Sequence, residues 1–239
     1  MIHGWFNPGK FSRFSQRVLP WLIGITLILF AIGSYMALFH SPVDYQQGNA
    51  VRIMYIHVPA AWMAMFGYTF LAGVSAASLI WKNPLSDMMG RAAAPIGACF
   101  TFLCLVTGSL WGEPVWGTWW VWDARLTSVL VLFFFYLGYI ALVHAFDNPQ
   151  RGAKAAAILA LVGFINVPIV KFSVDFWNTL HQPASILRFG GPTIDSSMLI
   201  PLFLMIGAFT FYFFALLLLR VQSEIAVRKI LRLRHQISQ

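Results

Sequence analysis

Five of the ten tryptophans in this 239-residue sequence lie between Trp111 and Thr127, in the string W-G-E-P-V-W-G-T-W-W-V-W-D-A-R-L-T. A membrane-interface belt contributes about one or two rings per helix end, so the run exceeds what an interface needs. Indoles set side by side make a broad apolar shelf suited to a flat hydrophobic ligand. Gly112, Pro114 and Gly117 are expected to supply the turns that bring Trp116, Trp119, Trp120 and Trp122 together. Arg125 offers a guanidinium that can pair a ligand carboxylate in bidentate fashion, while Asp123 either orients it or caps the helix that follows. Two histidines stand out by context: His57 in Y-I-H-V-P-A-A-W and His181 in N-T-L-H-Q-P. A lone histidine at an interface is more often structural than a ligand. Two on the same side of a membrane as an aromatic shelf would instead fill both axial positions of a haem iron.

Whether they share a side depends on the elements that carry them. With 59% hydrophobic and 10% charged residues, the chain lacks the polar cover a water-facing surface requires. Hydrocarbon tolerates that composition, because helices satisfy their own backbone groups there. Six segments have the roughly 20 apolar residues a span needs, at about 18–39, 58–81, 92–111, 126–146, 154–172 and 198–219. Pro59 and Pro201 are expected in the first turns of the second and sixth spans, and Pro168 and Lys171 interrupt the end of the fifth. The expected fold is therefore an all-α polytopic membrane protein, a single six-helix domain over residues 1–239. Its tryptophan-rich outer loop is expected at 112–125 and a second outer loop at 173–197.

Placing both termini in the cytoplasm puts twelve of the sixteen Lys and Arg there: Lys10, Arg13, Arg17, Lys82, Arg91, Arg151, Lys154, Arg220, Arg228, Lys229, Arg232 and Arg234. That asymmetry is the positive-inside pattern. His40, His57 and His181 then fall outside, with the tryptophan run, while His3, His144 and His235 fall inside and are most simply solvated. The outer side keeps Arg52, Arg125, Lys171 and Arg188. Arg52, five residues before His57, is expected to join Arg125 in meeting the two haem propionates. Lys171 and Arg188 also have the plainer reading of interfacial snorkelling.

Other chemistries lack their parts. The formal charge of +8 sits in clusters at the ends of apolar runs, which reads as orientation in a bilayer and not as nucleic-acid binding. Cys99 and Cys104 have no redox or haem-attachment spacing and read as packing residues. No H-E-x-x-H and no G-x-x-x-x-G-K-[ST] occurs, so neither an intramembrane metalloprotease nor an ATPase is indicated. The basic N-terminus before an apolar run resembles a signal peptide, but that run is too long and no small-residue cleavage site closes it. No histidine is expected mid-span, so a haem would sit at the outer surface.

The string W-G-T-W-W-V-W-D-A-R-L-T from Trp116 to Thr127, with H-V-P-A-A-W and the outer His181, closely resembles the cytochrome c maturation protein C family. Its members are haem-handling membrane proteins that carry a "WWD" segment, and the likeness covers nearly the whole chain. The resemblance implies a bacterial inner-membrane protein that holds haem b at the periplasmic face and hands it to a small periplasmic haem chaperone, the maturation protein E. It further implies axial ligation by His57 and His181 and a haem platform from Trp116 to Arg125. The implied partners are an ATP-binding cassette pair, the A and B proteins, and a small single-span D protein. On that reading the chain positions haem and is not an enzyme, any ATPase activity belonging to a partner. A competing expectation is a transporter subunit that moves haem or another apolar anion across the membrane, against which stands the scarcity of ionisable residues within the spans. A further alternative is a structural subunit whose tryptophan loop only docks another protein.

Overall fold

Three Asn-Pro pairs open three of the helices, and the reason is local. Asn7 Oδ1 accepts from the Gly9 and Lys10 amides, Asn83 Oδ1 from Leu85, and Asn148 Oδ1 from Gln150 and Arg151. The proline that follows occupies the first helical position, where its missing N–H leaves nothing unpaired. The computed structural model describes residues 7–181, 185–186 and 190–237. His3 and Arg188, and the side chain of His235, lie outside what it describes.

Among the described residues the regular elements are all helices, without strands. Helix α1 (Pro8–Tyr35) runs on into a π-helical turn at Met36–His40, and a 3-10 turn (Asn49–Ile53) leads into α2 (Met54–Trp81). Then come α3 (Pro84–Trp116), α4 (Ala124–His144), α5 (Pro149–Phe164), α6 (Asn166–Phe176) and α7 (Ser196–Ile237). With α5 and α6 counted as one crossing, six helical segments are long and apolar enough to span a bilayer, which makes this a multi-pass membrane protein.

The helices are longer than their apolar cores, so several expected boundaries move. Helix α3 begins at Pro84 and not near 92, and runs through Trp116. The expected loop at 112–125 therefore shrinks to residues 117–123, with Trp111, Gly112, Pro114 and Trp116 on the helix. Only Gly117 makes the turn: it takes φ +72°, a left-handed conformation that costs glycine little, and its amide donates to the Glu113 carbonyl at 2.9 Å. The second loop shortens to 177–195. Pro59 and Pro201 are each the sixth residue of their helices, beyond the first turn. The interruption of the fifth span falls at Ile165 because Pro168 has no N–H to offer the Phe164 carbonyl one turn back. Asn166 uses the break, donating from Nδ2 to the Ser128 carbonyl of α4 at 2.8 Å.

Two apolar clusters hold the bundle. One packs α2 and α3 against α7 around Met63, Phe100, Leu202 and Phe213, and the other packs α2 and α3 against α4 and α5 around Tyr68, Leu132 and Tyr136. Helix α1 leans on α7, with Phe30 against Phe209 at 5.4 Å between ring centres. At 42 residues α7 is about 63 Å long, twice a bilayer core of about 30 Å. Its overhang is pinned by Arg228 to Asp87 of α3, which also pairs with Arg91 at 3.2 Å. The antiparallel order gathers the start of α2, the α3–α4 turn and the end of α6 at one end of the bundle.

Candidate functional site

At that end the helices part around a cavity of about 350 Å³, within the range of small-molecule and cofactor sites (about 300–1,000 Å³). Its walls are His57, Ala61, Ala64 and Met65 of α2; Cys104, Leu105, Gly108, Ser109 and Trp116 of α3; Arg125, Leu126, Val129 and Leu132 of α4; and Val170, Lys171, Phe172, Val174 and Asp175 of α6. Trp120 and His181 close it from the connecting segments. The site is thus a cleft between four helices, deeper than a shelf on a loop. Along α3 its lining runs from Cys104 to Trp116, roughly 18 Å at about 1.5 Å per residue.

His57 sits in the first turn of α2 with its ring against α3. Its Nδ1 lies 3.1 Å from both the Cys104 carbonyl and the Thr107 hydroxyl. A carbonyl only accepts, and the Thr107 hydroxyl already gives its hydrogen to the Leu103 carbonyl at 2.7 Å. Nδ1 is therefore the protonated nitrogen of the neutral ring, and Nε2 keeps its lone pair. Gly108 makes the approach possible, because a Cβ there would stand 3.0 Å from His57 Cε1. Trp111 covers the ring edge-on at 5.6 Å and donates from Nε1 to Gln47 at 2.9 Å.

His181 stands across the cleft in the segment after α6. Its ring meets Trp116 at 4.9 Å between centres, and its Nδ1 is 3.6 Å from Asp123 Oδ2. Burial and the Arg125 guanidinium push its pKa below the usual value, against the opposing pull of Asp123, so at neutral pH the imidazole is uncharged, the form that ligates metal. Asp123 also caps α4, accepting from the Leu126 amide at 2.7 Å, and receives the Thr179 hydroxyl. Thr179 Oγ1 in turn accepts from the His181 amide at 3.0 Å. One carboxylate thus ties the start of α4 to the segment that carries His181. Arg125 reaches the other way, from Nε to Ser173 Oγ and from Nη2 to the Lys171 carbonyl, each at 3.2 Å.

Among the residues singled out in the sequence, His57, His181, Trp116, Trp120 and Arg125 line the cleft. Asp123 stands behind His181. Trp119 and Trp122 do not line it; they are 58% and 76% exposed, and Trp122 packs edge-on against Trp120 at 5.5 Å. Arg52 lies on the 3-10 turn and is not among the lining residues, with its Nε buried and without a hydrogen bond. Sequence reasoning missed Thr107, Gly108, Ser173, Asp175 and Thr179, and left Lys171 with interfacial snorkelling as its plainer reading. Their part in the site comes from which helices adjoin, and T-G-S at 107–109 carries no motif signal of its own.

The donor set fits an iron macrocycle better than a bare ion. Two imidazoles oppose aromatic walls, and among the described residues no group of three or more His, Cys, Asp or Glu converges. One cleft residue, Trp120, holds a buried polar atom without a protein partner, its Nε1, whereas His181 Nδ1 faces Asp123 Oδ2 at 3.6 Å. An indole N–H left unpaired in the lining is free to donate to a bound ligand.

Comparison with known proteins points the same way. A family model described as "Heme exporter protein C" matches residues 1–236. The chain is similar to the Heme exporter protein C of Bradyrhizobium diazoefficiens, 57% identical over 94% of this chain and 85% of that one. It is 44% identical to that of Escherichia coli (strain K12), over 94% of this chain and 90% of the other. A "Putative cytochrome c biosynthesis ccmC-like mitochondrial protein" of Marchantia polymorpha is 49% identical over 86% and 87% of the two chains. A match of this extent, over a chain whose cleft pairs two imidazoles with tryptophan, leaves one assignment: the chain belongs to the heme exporter protein C family.

Proposed function

We propose that this protein holds haem b in the cleft, with His57 and His181 as axial ligands, and hands it to the periplasmic haem chaperone, the maturation protein E. The observation that carries the reading is the convergence of both imidazoles on one cavity whose other walls are Trp116, Trp120 and Arg125. In it, bonds from Nδ1 orient His57, Asp123 stands behind His181, the indoles exclude water, and Arg125 meets carboxylate. Haem supplies the iron that the imidazoles ligate and the porphyrin edge to which a chaperone can bond. The chain's contribution is positioning and not acid–base chemistry.

The cleft belongs to the periplasmic side of the inner membrane on this reading, supported by the basic residues at the opposite end of the bundle. Trp119, Trp122, Phe176 and Trp177 stay exposed beside its mouth and suit an apolar partner surface. The A, B and D maturation proteins complete the complex, with ATP hydrolysis in the cassette subunits. The depth of the cleft, about 18 Å along α3 against a hydrocarbon core of about 30 Å, supports holding over translocation by this chain alone. The test is an optical spectrum of the purified protein. A Soret band that shifts or disappears in His57→Ala and in His181→Ala is expected, and its absence from the wild type would sink the reading.

A further inference from the structure

Arg52, the cation the sequence pairs with Arg125, does not line the cleft, yet a dicarboxylic ligand needs two positive partners. The structure brings a different one to the wall. Lys171 of α6 lines the cavity together with Arg125 of α4, and the two are neighbours, since Arg125 Nη2 donates to the Lys171 carbonyl. The Ser173 and Lys171 contacts hold two of the five guanidinium N–H groups against α6, leaving three for a ligand. Among the described residues the Lys171 ammonium has no ion pair. A lysine near the end of a span ordinarily snorkels to headgroups; Lys171 is exposed in that way, and it also borders a cavity that already contains a fixed guanidinium.

Charge supports the same assignment. Asp175, one helical turn beyond Lys171, also lines the cleft. With Arg125 and Asp175 alone the α4–α6 wall would be neutral and would do little to favour a dianion. Among the lining residues Lys171 leaves one positive charge in excess, while Asp123 stands behind the lining and faces His181.

We propose that Lys171 is the second carboxylate-binding cation of the cleft, so that Arg125 and Lys171 together take the two carboxylates of a porphyrin along the α4–α6 wall. The inference rests on the haem reading above and deepens it, because it fixes which edge of the macrocycle faces α6 and which faces α3. The flexible ammonium adapts to the second carboxylate while Arg125, bonded to Ser173, stays in place.

The test uses the full-length purified chain with two ligands: haem, and an iron porphyrin whose two carboxylates are methyl esters. A hydrogen bond to a charged group contributes about tenfold or more in affinity. Lys171→Gln is therefore expected to release haem about tenfold more readily, Lys171→Arg to hold it like the wild type, and the ester to bind wild type and Lys171→Gln equally. Haem bound equally by Lys171→Gln and wild type would overturn the proposal and leave the haem reading intact. Equal weakening of haem and ester would also overturn it, since the loss would then lie in packing. A wild type without a Soret band would remove the haem reading and this inference with it.

Discussion

Gly108→Ala tests whether α3 positions His57, because the added Cβ meets the imidazole directly. The added Cβ would lie 3.0 Å from His57 Cε1 and 3.5 Å from Nδ1, where ordinary contacts begin at 3.4 Å, so the ring must retreat by about 0.4 Å. Both bonds from Nδ1 are 3.1 Å long, and that retreat takes them to about 3.5 Å, past the useful range for N–H···O bonds. Losing one such bond costs about 0.5–1.5 kcal/mol, and an off-rotamer ring about the same again. The sum of about 1–3 kcal/mol corresponds to haem held roughly 5- to 150-fold less tightly. The unliganded fold loses the same contacts, which alanine's helix propensity offsets by up to about 1 kcal/mol. Haem titration and a thermal melt in detergent read the two quantities separately, with Gly73→Ala as a control that meets no atom within 4 Å. In a His57→Ala background Gly108→Ala should have no further effect on haem. Wild-type haem affinity with an unchanged Soret band in Gly108→Ala would refute the argument that α3 positions His57.

Thr107→Val removes one of the two acceptors for His57 Nδ1 at nearly constant volume; the haem spectrum should change, and Thr107→Ser should restore it. Asp123→Asn keeps the cap on α4 but removes the anion facing His181, so haem retention should fall several-fold with the melt little changed, whereas Asp123→Ala should also lose about 1 kcal/mol of stability. Trp116→Ala should empty the cleft of haem, while Trp122→Ala, at a residue 76% exposed, should leave haem content alone and weaken co-purification with the chaperone. In Gly97→Ala the new Cβ would overlap the ring and hydroxyl of Tyr136, a fully buried residue that donates to the Ala64 carbonyl. Overpacking of that kind costs about 1–3 kcal/mol or more, so the melt should drop sharply.

The six spans were legible because a run of about twenty apolar residues matches the thickness of a bilayer core and finds no stable place against water, and the tryptophan run because five indoles are too many for one interface. Helix ends were less so, since hydropathy marks the part that meets lipid while Asn-Pro capping marks where the helix starts. Those caps were present in the sequence at 7–8, 83–84 and 148–149, and would have moved three boundaries outward. The long α3 changes the site itself, because it puts Trp111 and Trp116 on a rigid element beside His57 and His181 and leaves only 117–123 as a connection.

The sequence by itself determined the solvent, the helical class and the residue types of the site, because each of these depends on composition and local spacing. Tertiary structure alone decided which of those residues meet. Helix α3 had to lie against α2 for the Cys104 carbonyl and Thr107 to select the His57 tautomer. Helix α6 had to lie against α4 for Lys171 to stand beside Arg125, while Arg52 does not join the lining. Neither neighbour relation leaves a periodic trace in the chain: contact between helices depends on the rotation of each about its own axis, which packing of the whole bundle sets.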